Sequence, residues 1–143
     1  MPPYETMTSM KVSELMTRSV VTLSPDETLA QAASTLASLN VSGAPVCDGD
    51  QRLVGVFSKS DLVSRLIDGR VDPSASVGDH MSTAPVTLRP DDDVRKATDL
   101  MAERSIHRLI IVDAEGRVVG ILSPLDILKA VHGGRLVLNI PAG

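Results

Sequence analysis

Residues 52–61 read Arg-Leu-Val-Gly-Val-Phe-Ser-Lys-Ser-Asp, and residues 117–126 read Arg-Val-Val-Gly-Ile-Leu-Ser-Pro-Leu-Asp. Both stretches run from an apolar, β-prone segment with a central Gly to Ser and then to Asp. The same offset of 65 residues aligns 12–62 with 77–127 without a gap. Such a repeat sets the architecture before any single motif is interpreted, because both copies must follow one structural plan. The residues of the first copy that are identical in the second are Val12, Met16, Val21, Thr22, Leu23, Pro25, Asp26, Ala32, Ala37, Asp48, Arg52, Val54, Gly55, Ser58 and Asp61.

Length and composition indicate two small copies that share a core. The chain has 143 residues, and each copy has roughly 50, a size that is marginal for a stable fold on its own. Apolar residues make up 43%, which is enough for a globular fold. With one Tyr, one Phe and no Trp, the core must be built from Val, Leu, Ile, Ala and Met.

Charge and cysteine content exclude several classes of protein. The net charge of −4 argues against nucleic acid as a partner, because phosphate neutralisation requires a basic surface. No apolar run is long enough to span a membrane, and residues 1–10 contain no basic apolar leader, so we expect no membrane partner and a cytoplasmic location. Cys47 is the only cysteine, so no intrachain disulfide can form. Its apolar neighbours favour a buried core residue over a reactive thiol.

The residue pattern of each copy predicts secondary-structure elements in the order strand, helix, strand, strand, helix. In the first copy the predicted elements are a strand at 20–23, a helix capped by Ser24, strands at 44–47 and 53–57, and a helix from Asp61. In the second they are a strand at 86–88, a helix starting at 90–93, strands at 109–112 and 118–122, a helix at 126–131, and a possible tail strand at 136–138. The predicted class is therefore α/β (α+β), with each copy a small β-sheet packed with two helices and the pair related by a pseudo-twofold axis. The predicted divisions are an arm at 1–11, domains at 12–67 and 77–132, a linker at 68–76 and a tail at 133–143.

Ser and Asp at the end of the third strand are the residues best suited to chemistry. An Asp there can accept two hydrogen bonds from a vicinal diol such as ribose, and a hydroxyl at a helix N-terminus suits phosphate oxygens. The Gly before them lets another backbone or a ligand approach closely. The alternative is that Ser and Asp only cap the helix, which would also repeat in both copies.

Both copies resemble cystathionine-β-synthase-type (CBS) domains, and the pair resembles a Bateman module, over residues 12–130. The resemblance rests on the Val-x-(Glu/Asp)-x-Met openings at 12–16 and 77–81, the Val-Thr-Leu-x-Pro-Asp blocks and the Gly-x-x-Ser-x-x-Asp endings. It implies binding of adenine nucleotides or S-adenosylmethionine in clefts between the repeats. The ligand-binding positions that it implies are Thr22, Ala44, Pro45, Ser58, Asp61, Thr87, His107, Arg108, Leu109, Ser123 and Asp126.

The copies differ where the second has His107-Arg108 and the first has Ser42-Gly43. In nucleotide-sensing members of the family such a pair reaches phosphates, so the resemblance implies two unequal clefts. The cleft that combines Asp61 with His107 and Arg108 would prefer a phosphorylated ligand. The cleft of Asp126 would bind more weakly or stay empty. The alternative is that the pair is only a solvated part of the surface.

Taken together, these features predict a stand-alone regulatory module that binds AMP, ADP or ATP, or else S-adenosylmethionine, and is not an enzyme. We expect no required cofactor, no catalytic residue and no metal site, because His80, His107 and His132 show no paired ligand spacing. The expected partners are the nucleotide, a second copy in a homodimer and an unknown effector protein. The alternative function is a ligand-free CBS-type dimerisation or interaction module.

Overall fold

A computed structural model describes residues 4–67, 69 and 72–138, without the side chains of Arg65 and Leu66. It confirms a mixed α+β fold with four helices and small sheets. The helices are α1 (Leu29–Ser38), α2 (Lys59–Ile67), α3 (Val94–Arg104) and α4 (Pro124–His132). The strands are β1 (Glu5–Thr6), β2 (Gly43–Cys47), β3 (Leu53–Ser58), β4 (Thr87–Leu88), β5 (Leu109–Val112), β6 (Val118–Leu122) and β7 (Leu136–Val137). None of the helices in these described ranges combines the length and the hydropathy needed to cross a membrane.

The helix predicted to be capped by Ser24 begins four residues later. Thr28 caps α1: its side chain accepts from the amide of Gln31 at 3.1 Å, and the Gln31 side chain accepts from the amide of Thr28 at 2.9 Å. Residues 24–27 instead form a turn, because the carbonyls of Pro25 and Glu27 accept hydrogen bonds from residues 77 and 78. A tertiary contact therefore overrides the local capping signal.

The described residues form two compact units that do not coincide with the two sequence copies. The first, here called the Asp61 unit, comprises Val21–Pro85 and Glu115–Val118. The second, the Asp126 unit, comprises residues 4–20, Val86–Ala114 and 119–138 of the described chain. Each unit therefore contains most of one copy together with the opening segment of the other.

The opening motifs, residues 12–16 and 77–81, each pack into the core of the unit that holds most of the other copy. In the Asp126 unit, Val12 and Met16 are buried in the same cluster as Leu88, Ala97 and Leu122. In the Asp61 unit, the equivalent residues Val77 and Met81 join the following cluster. Its buried members are Leu23, Leu29, Ala32, Leu36, Ala44, Val46, Phe57 and Val77. Each core therefore includes apolar residues contributed by the opening motif of the other copy. Because apolar burial is the main stabilising term, each core depends on that motif for part of its stability.

The repeated glycines lie against these openings. A Cβ at Gly55 would stand 2.6 Å from Sδ of Met81 and 2.8 Å from the carbonyl oxygen of Ser82, while one at Gly120 would overlap the side chain of Met16. The close approach predicted at these glycines is therefore made by a methionine of the opening motif, and no ligand is needed to explain it.

The first strand of each copy is shorter than predicted. In the Asp61 unit only Leu23 forms a bridge, donating from its amide to the carbonyl of Pro45 at 2.9 Å and accepting from the amide of Cys47 at 2.8 Å. In the Asp126 unit the equivalent β4 pairs in parallel with β5. Cys47 is buried, as the core interpretation predicts, and its pKa is raised by burial and then by Asp48.

The arm and the tail pair with each other inside the Asp126 unit. The tail strand is found as β7, and it pairs in parallel with β1, a strand of the arm that the sequence did not predict. Met10, Val94, Ala130 and Leu136 are buried beneath the pair. The predicted linker and tail extend over residues 68, 70–71 and 139–143, which lie outside the described residues.

Replacing Glu5 in β1 should make the Tm, to which the β1–β7 pairing contributes, less sensitive to pH. The pKa of Glu5 is raised, first by a side-chain hydrogen bond with Glu14, then by burial and the charge of Glu14, against an opposite effect of Arg135. A group whose pKa is raised in the folded state stabilises the fold at pH values below its ordinary pKa. That stabilisation is lost as the pH rises through the raised pKa. Glu5→Gln should therefore raise the Tm near neutral pH and change it little at about pH 4.

The matched control for Glu5→Gln is Glu103→Gln, which removes an exposed carboxylate from another element of the same unit. Thermal melts of both variants across this pH range provide the measurement. Equal Tm changes in the two variants at every pH would contradict a special role for the Glu5–Glu14 contact.

Candidate functional site

Ser58 and Asp61 form a closed set of hydrogen bonds where β3 meets α2. The amide of Ser58 donates to Oδ2 of Asp61 at 2.9 Å, and the Ser58 hydroxyl donates to the same oxygen at 3.0 Å. The amide of Asp61 donates back to the hydroxyl oxygen of Ser58 at 3.2 Å. These two residues therefore cap α2, which is the simpler of the two interpretations considered from the sequence.

Ser123 and Asp126 repeat the arrangement at the start of α4. The corresponding distances are 2.8 Å and 3.1 Å to Oδ2 of Asp126 and 3.4 Å from the amide of Asp126 to the hydroxyl of Ser123. One difference between the copies is the first helical residue. Lys59 donates its amide to the carbonyl of Ser42 at 2.8 Å, whereas Pro124 has no amide hydrogen to donate.

The cap uses only one oxygen of each carboxylate. In both copies Oδ2 accepts the two bonds from Ser, while Oδ1 accepts none from the part of the chain that the structure describes. Both carboxylates are half-buried rather than enclosed. Capping and diol binding are therefore compatible, because an ionised carboxylate oxygen can accept two hydrogen bonds.

The serine hydroxyls are less available than the carboxylates. Each hydroxyl has one proton, and in both copies that proton is donated to the neighbouring Asp. A serine that donated to a phosphate oxygen would have to break this bond first. The serine hydroxyls are thus engaged in the caps. The ribose contacts of Asp61 and Asp126, and the ribose or phosphate contacts of Ser58 and Ser123, stay predictions.

The other predicted residues of the Asp61 unit lie on neighbouring strands. Gly43 is paired with Ser58, and Ala44 is paired with Phe57 on the adjacent strand. Thr22 precedes Leu23, which bonds to the carbonyl of Pro45. Thr22 is half-buried, whereas Ala44 and Pro45 are buried, so the two buried residues have little side-chain surface to offer a ligand.

The Asp126 unit has the same order, with two exposed residues added. Thr87 is exposed and pairs with Ile110 next to Leu109, which is fully buried. His107 and Arg108 are exposed immediately before β5.

An open groove of about 390 Å³ lies between α3 and α4 in the Asp126 unit. His107 lines it together with mainly apolar side chains, and Ser123 and Asp126 are not among the lining residues. The groove is thus lined by neighbours of the Ser–Asp cap, such as Pro124, and not by the two cap residues themselves. The residues that line the groove are Thr98, Met101, Ala102, Ile106, His107, Pro124, Ile127 and Leu128.

The run of three aspartates before α3 is part of a helix start. Asp93 accepts from the amide of Lys96 at 2.8 Å, and Asp92 accepts from the amide of Arg89 at 2.7 Å. Within the described ranges, no three His, Cys, Asp or Glu side chains are grouped so that they could hold a metal ion. Asp92 and Asp93 therefore have structural partners at the helix start.

Sequence reasoning missed the role of Arg52 and Arg117. In the Asp61 unit, Nε of Arg52 donates to the carbonyl of Glu115 and Nε of Arg117 donates to the carbonyl of Asp50, both at 3.1 Å. The two turns are thereby joined by equivalent bonds. The identity of Arg at matched positions was the available signal, but its meaning required knowing that the turns lie side by side.

Comparison with known proteins identifies the family of this chain. The family model for the CBS domain matches residues 12–68 and 77–133. An inosine-5'-monophosphate dehydrogenase from Methanocaldococcus jannaschii is 34% identical over 83% of this chain, which spans only 23% of that enzyme. Uncharacterized protein MJ1232 of the same organism is 34% identical over 87% of this chain and 40% of its own length.

Solved structures show the same fold. The crystal structure of CBSX2 in complex with AMP matches with a TM-score of 0.78 and 29% identity, covering 87% of this chain and 98% of CBSX2. The CBS domain pair of protein MJ0100, in complex with 5'-methylthioadenosine and S-adenosyl-L-methionine, matches with a TM-score of 0.75 and 23% identity, covering 87% of this chain and 97% of that one. The chain therefore belongs to the CBS domain family and contains a pair of these domains, a Bateman module.

Proposed function

We propose that this CBS pair is a regulatory module that binds an adenosine-containing ligand, with AMP, ADP or ATP preferred over S-adenosylmethionine. The observation that carries the proposal concerns the carboxylates of Asp61 and Asp126: the cap holds Oδ2 of each, and Oδ1 of each accepts no bond from the described residues. Similarity to CBSX2, whose structure contains AMP, supports the same ligand class. The ligand is regulatory, and no cofactor is required.

Different residues contact different parts of the proposed ligand. Asp61 and Asp126 accept hydrogen bonds from ribose hydroxyls, while Thr22 and Thr87 lie beside the base or ribose. Ala44, Pro45 and Leu109 contribute backbone and apolar surface, and Ser58 and Ser123 hold the two carboxylates in orientation. His107 and Arg108 supply positive charge for phosphates, for which a guanidinium is well suited.

The proposed module acts by binding and not by catalysis. Its match to inosine-5'-monophosphate dehydrogenase covers only 23% of that enzyme. The ligand changes the populations of two arrangements of a homodimer or of a complex with an effector protein. The rival function is a ligand-free dimerisation module, and the cap bonds are compatible with it too, because Ser and Asp have a structural role in both copies without any ligand.

Thermal shift separates the two functions. AMP, ADP or ATP at millimolar concentration should raise the Tm, while guanine and pyrimidine nucleotides at the same concentration should raise it much less. Ligand at 100-fold excess over its Kd stabilises the folded state by about 2.7 kcal/mol. If neither adenine nucleotides nor S-adenosylmethionine shifts the transition, the ligand-free function stands.

A further inference from the structure

The opening motif of each copy ends in a methionine that packs against a glycine, but the two methionines differ in their exposure to water. Met16, which packs against Gly120, is buried and only 8% exposed. The equivalent Met81, which packs against Gly55, is half-buried. The repeat therefore holds one methionine that is shielded from water and one that is only partly shielded. Among the described residues, the other buried methionines are Met10 and Met101, and the other half-buried one is Met7.

The two sulfurs also have different neighbours. Next to Gly55, at the point where a Cβ would stand, Sδ of Met81 is 2.6 Å away and the carbonyl oxygen of Ser82 is 2.8 Å away. At the equivalent point next to Gly120, the three nearest atoms all belong to the side chain of Met16. The sulfur of Met81 therefore has a backbone carbonyl oxygen as a near neighbour.

The backbone amides around this carbonyl already have acceptors. The amide of Val56 donates to the carbonyl of Ser82 at 2.9 Å, and the amide of Ser82 donates to the carbonyl of Val56 at 2.8 Å. The amide of Met81 itself donates to the carbonyl of Val77 at 2.8 Å. An oxygen added to the sulfur would be an acceptor that none of these amides is free to satisfy, and a partly buried acceptor without a donor costs free energy.

We propose that Met81 is a site of reversible oxidation by peroxides, and that its sulfoxide weakens the packing of the second opening motif in the Asp61 unit. In the reaction with hydrogen peroxide, a lone pair of the thioether sulfur attacks one peroxide oxygen. The O–O bond breaks as the S–O bond forms, and the other oxygen leaves as water. The sulfur is oxidised by two electrons and the peroxide is reduced. Methionine sulfoxide is polar, and methionine sulfoxide reductases convert it back to the thioether.

The oxidation acts on only one of the two copies. Met16 is protected by its burial, because access to the sulfur limits the reaction. In the Asp61 unit, the same opening motif contributes the fully buried Val77 to the core. A sulfoxide at the end of this motif therefore lowers the stability of the fold through a segment that is also part of the core.

Peptide mass spectrometry of the full chain, after timed exposure to hydrogen peroxide, tests which methionine reacts. Sulfoxide should form at Met81 and Met7 roughly tenfold faster than at the buried methionines, because exposure governs susceptibility. Equal rates at Met16 and Met81 in the folded chain would overturn the assignment of the site.

Thermal melts before and after oxidation test the effect on the fold. The Tm of the unmodified chain should fall by roughly 3–6 °C and should recover after treatment with methionine sulfoxide reductases and dithiothreitol. Met81→Leu, which nearly conserves volume, should keep its Tm after the same exposure. The matched control Met7→Leu removes the other half-buried methionine and should lose as much as the unmodified chain. A Tm that is unchanged once Met81 is fully oxidised, or an equal fall in Met81→Leu, would overturn the proposal.

Discussion

Asp61→Ala is expected to weaken the binding of AMP by roughly ten- to hundredfold. The substitution removes the carboxylate whose open oxygen is proposed to accept from ribose, and a hydrogen bond to a charged group is worth about 1.5–3 kcal/mol. A loss of 1.4 kcal/mol corresponds to about tenfold in Kd. Isothermal titration calorimetry, at a temperature well below the Tm of the variant, measures the change. The same substitution at Asp126 should matter less if the two clefts are unequal.

The control must lose a helix cap without touching the proposed site. Asp93→Ala does this, because Asp93 caps α3 by accepting from the amide of Lys96 at 2.8 Å. Loss of a cap costs about 1 kcal/mol of folding stability in either variant. Asp93→Ala should therefore lower the Tm but leave the affinity for AMP unchanged. Equal affinity losses in the two variants would show that Asp61 acts only through the fold.

Gly55→Ala should destabilise the protein by about 1–3 kcal/mol, the range typical of overpacking in a core. The added Cβ would stand 2.8 Å from the carbonyl oxygen of Ser82. That oxygen cannot easily withdraw, because it accepts from the amide of Val56 at 2.9 Å, and Val56 in turn accepts from the amide of Ser82 at 2.8 Å. Thermal or urea unfolding gives the change in free energy of unfolding.

Two other glycines calibrate this result. Gly49→Ala is the matched control, since a Cβ there would meet nothing within 4 Å. Gly120→Ala should have an intermediate effect, because the nearest atoms there all belong to the flexible side chain of Met16. If Gly55→Ala proved as stable as Gly49→Ala, the packing of the opening motif against the glycine would not be a significant source of stability.

The repeat made the fold predictable, whereas non-local contacts determined what was missed. The pairs β2–β3 and β5–β6 are found where alternating apolar residues and turn residues indicate them. The start of α1 was misplaced because the carbonyls of Pro25 and Glu27 bond to residues some fifty positions later, which no local capping rule can include. The exchange of the openings has the same origin.

The sequence predicted which residues form the candidate site but not how their side chains are used. The spacing of Ser58 and Asp61 allowed either a cap or a ligand contact, and the geometry shows a cap that uses Oδ2 of Asp61, with no bond to Oδ1 from the part of the chain that the structure describes. Which oxygen is used depends on the side-chain rotamer, and a residue spacing does not specify it. The roles of His107 and Arg108 toward phosphate remain predictions for the same reason.

The exchanged openings have a consequence for any polypeptide that holds a single copy. A fragment of residues 12–67 would carry Val12 and Met16 without the core that receives them, and it would lack the Val77 and Met81 that complete its own. Two such fragments could bury all of this surface only by each inserting its opening into the other. The intramolecular pair thus has the form of a domain-swapped dimer whose two subunits have been joined into one chain.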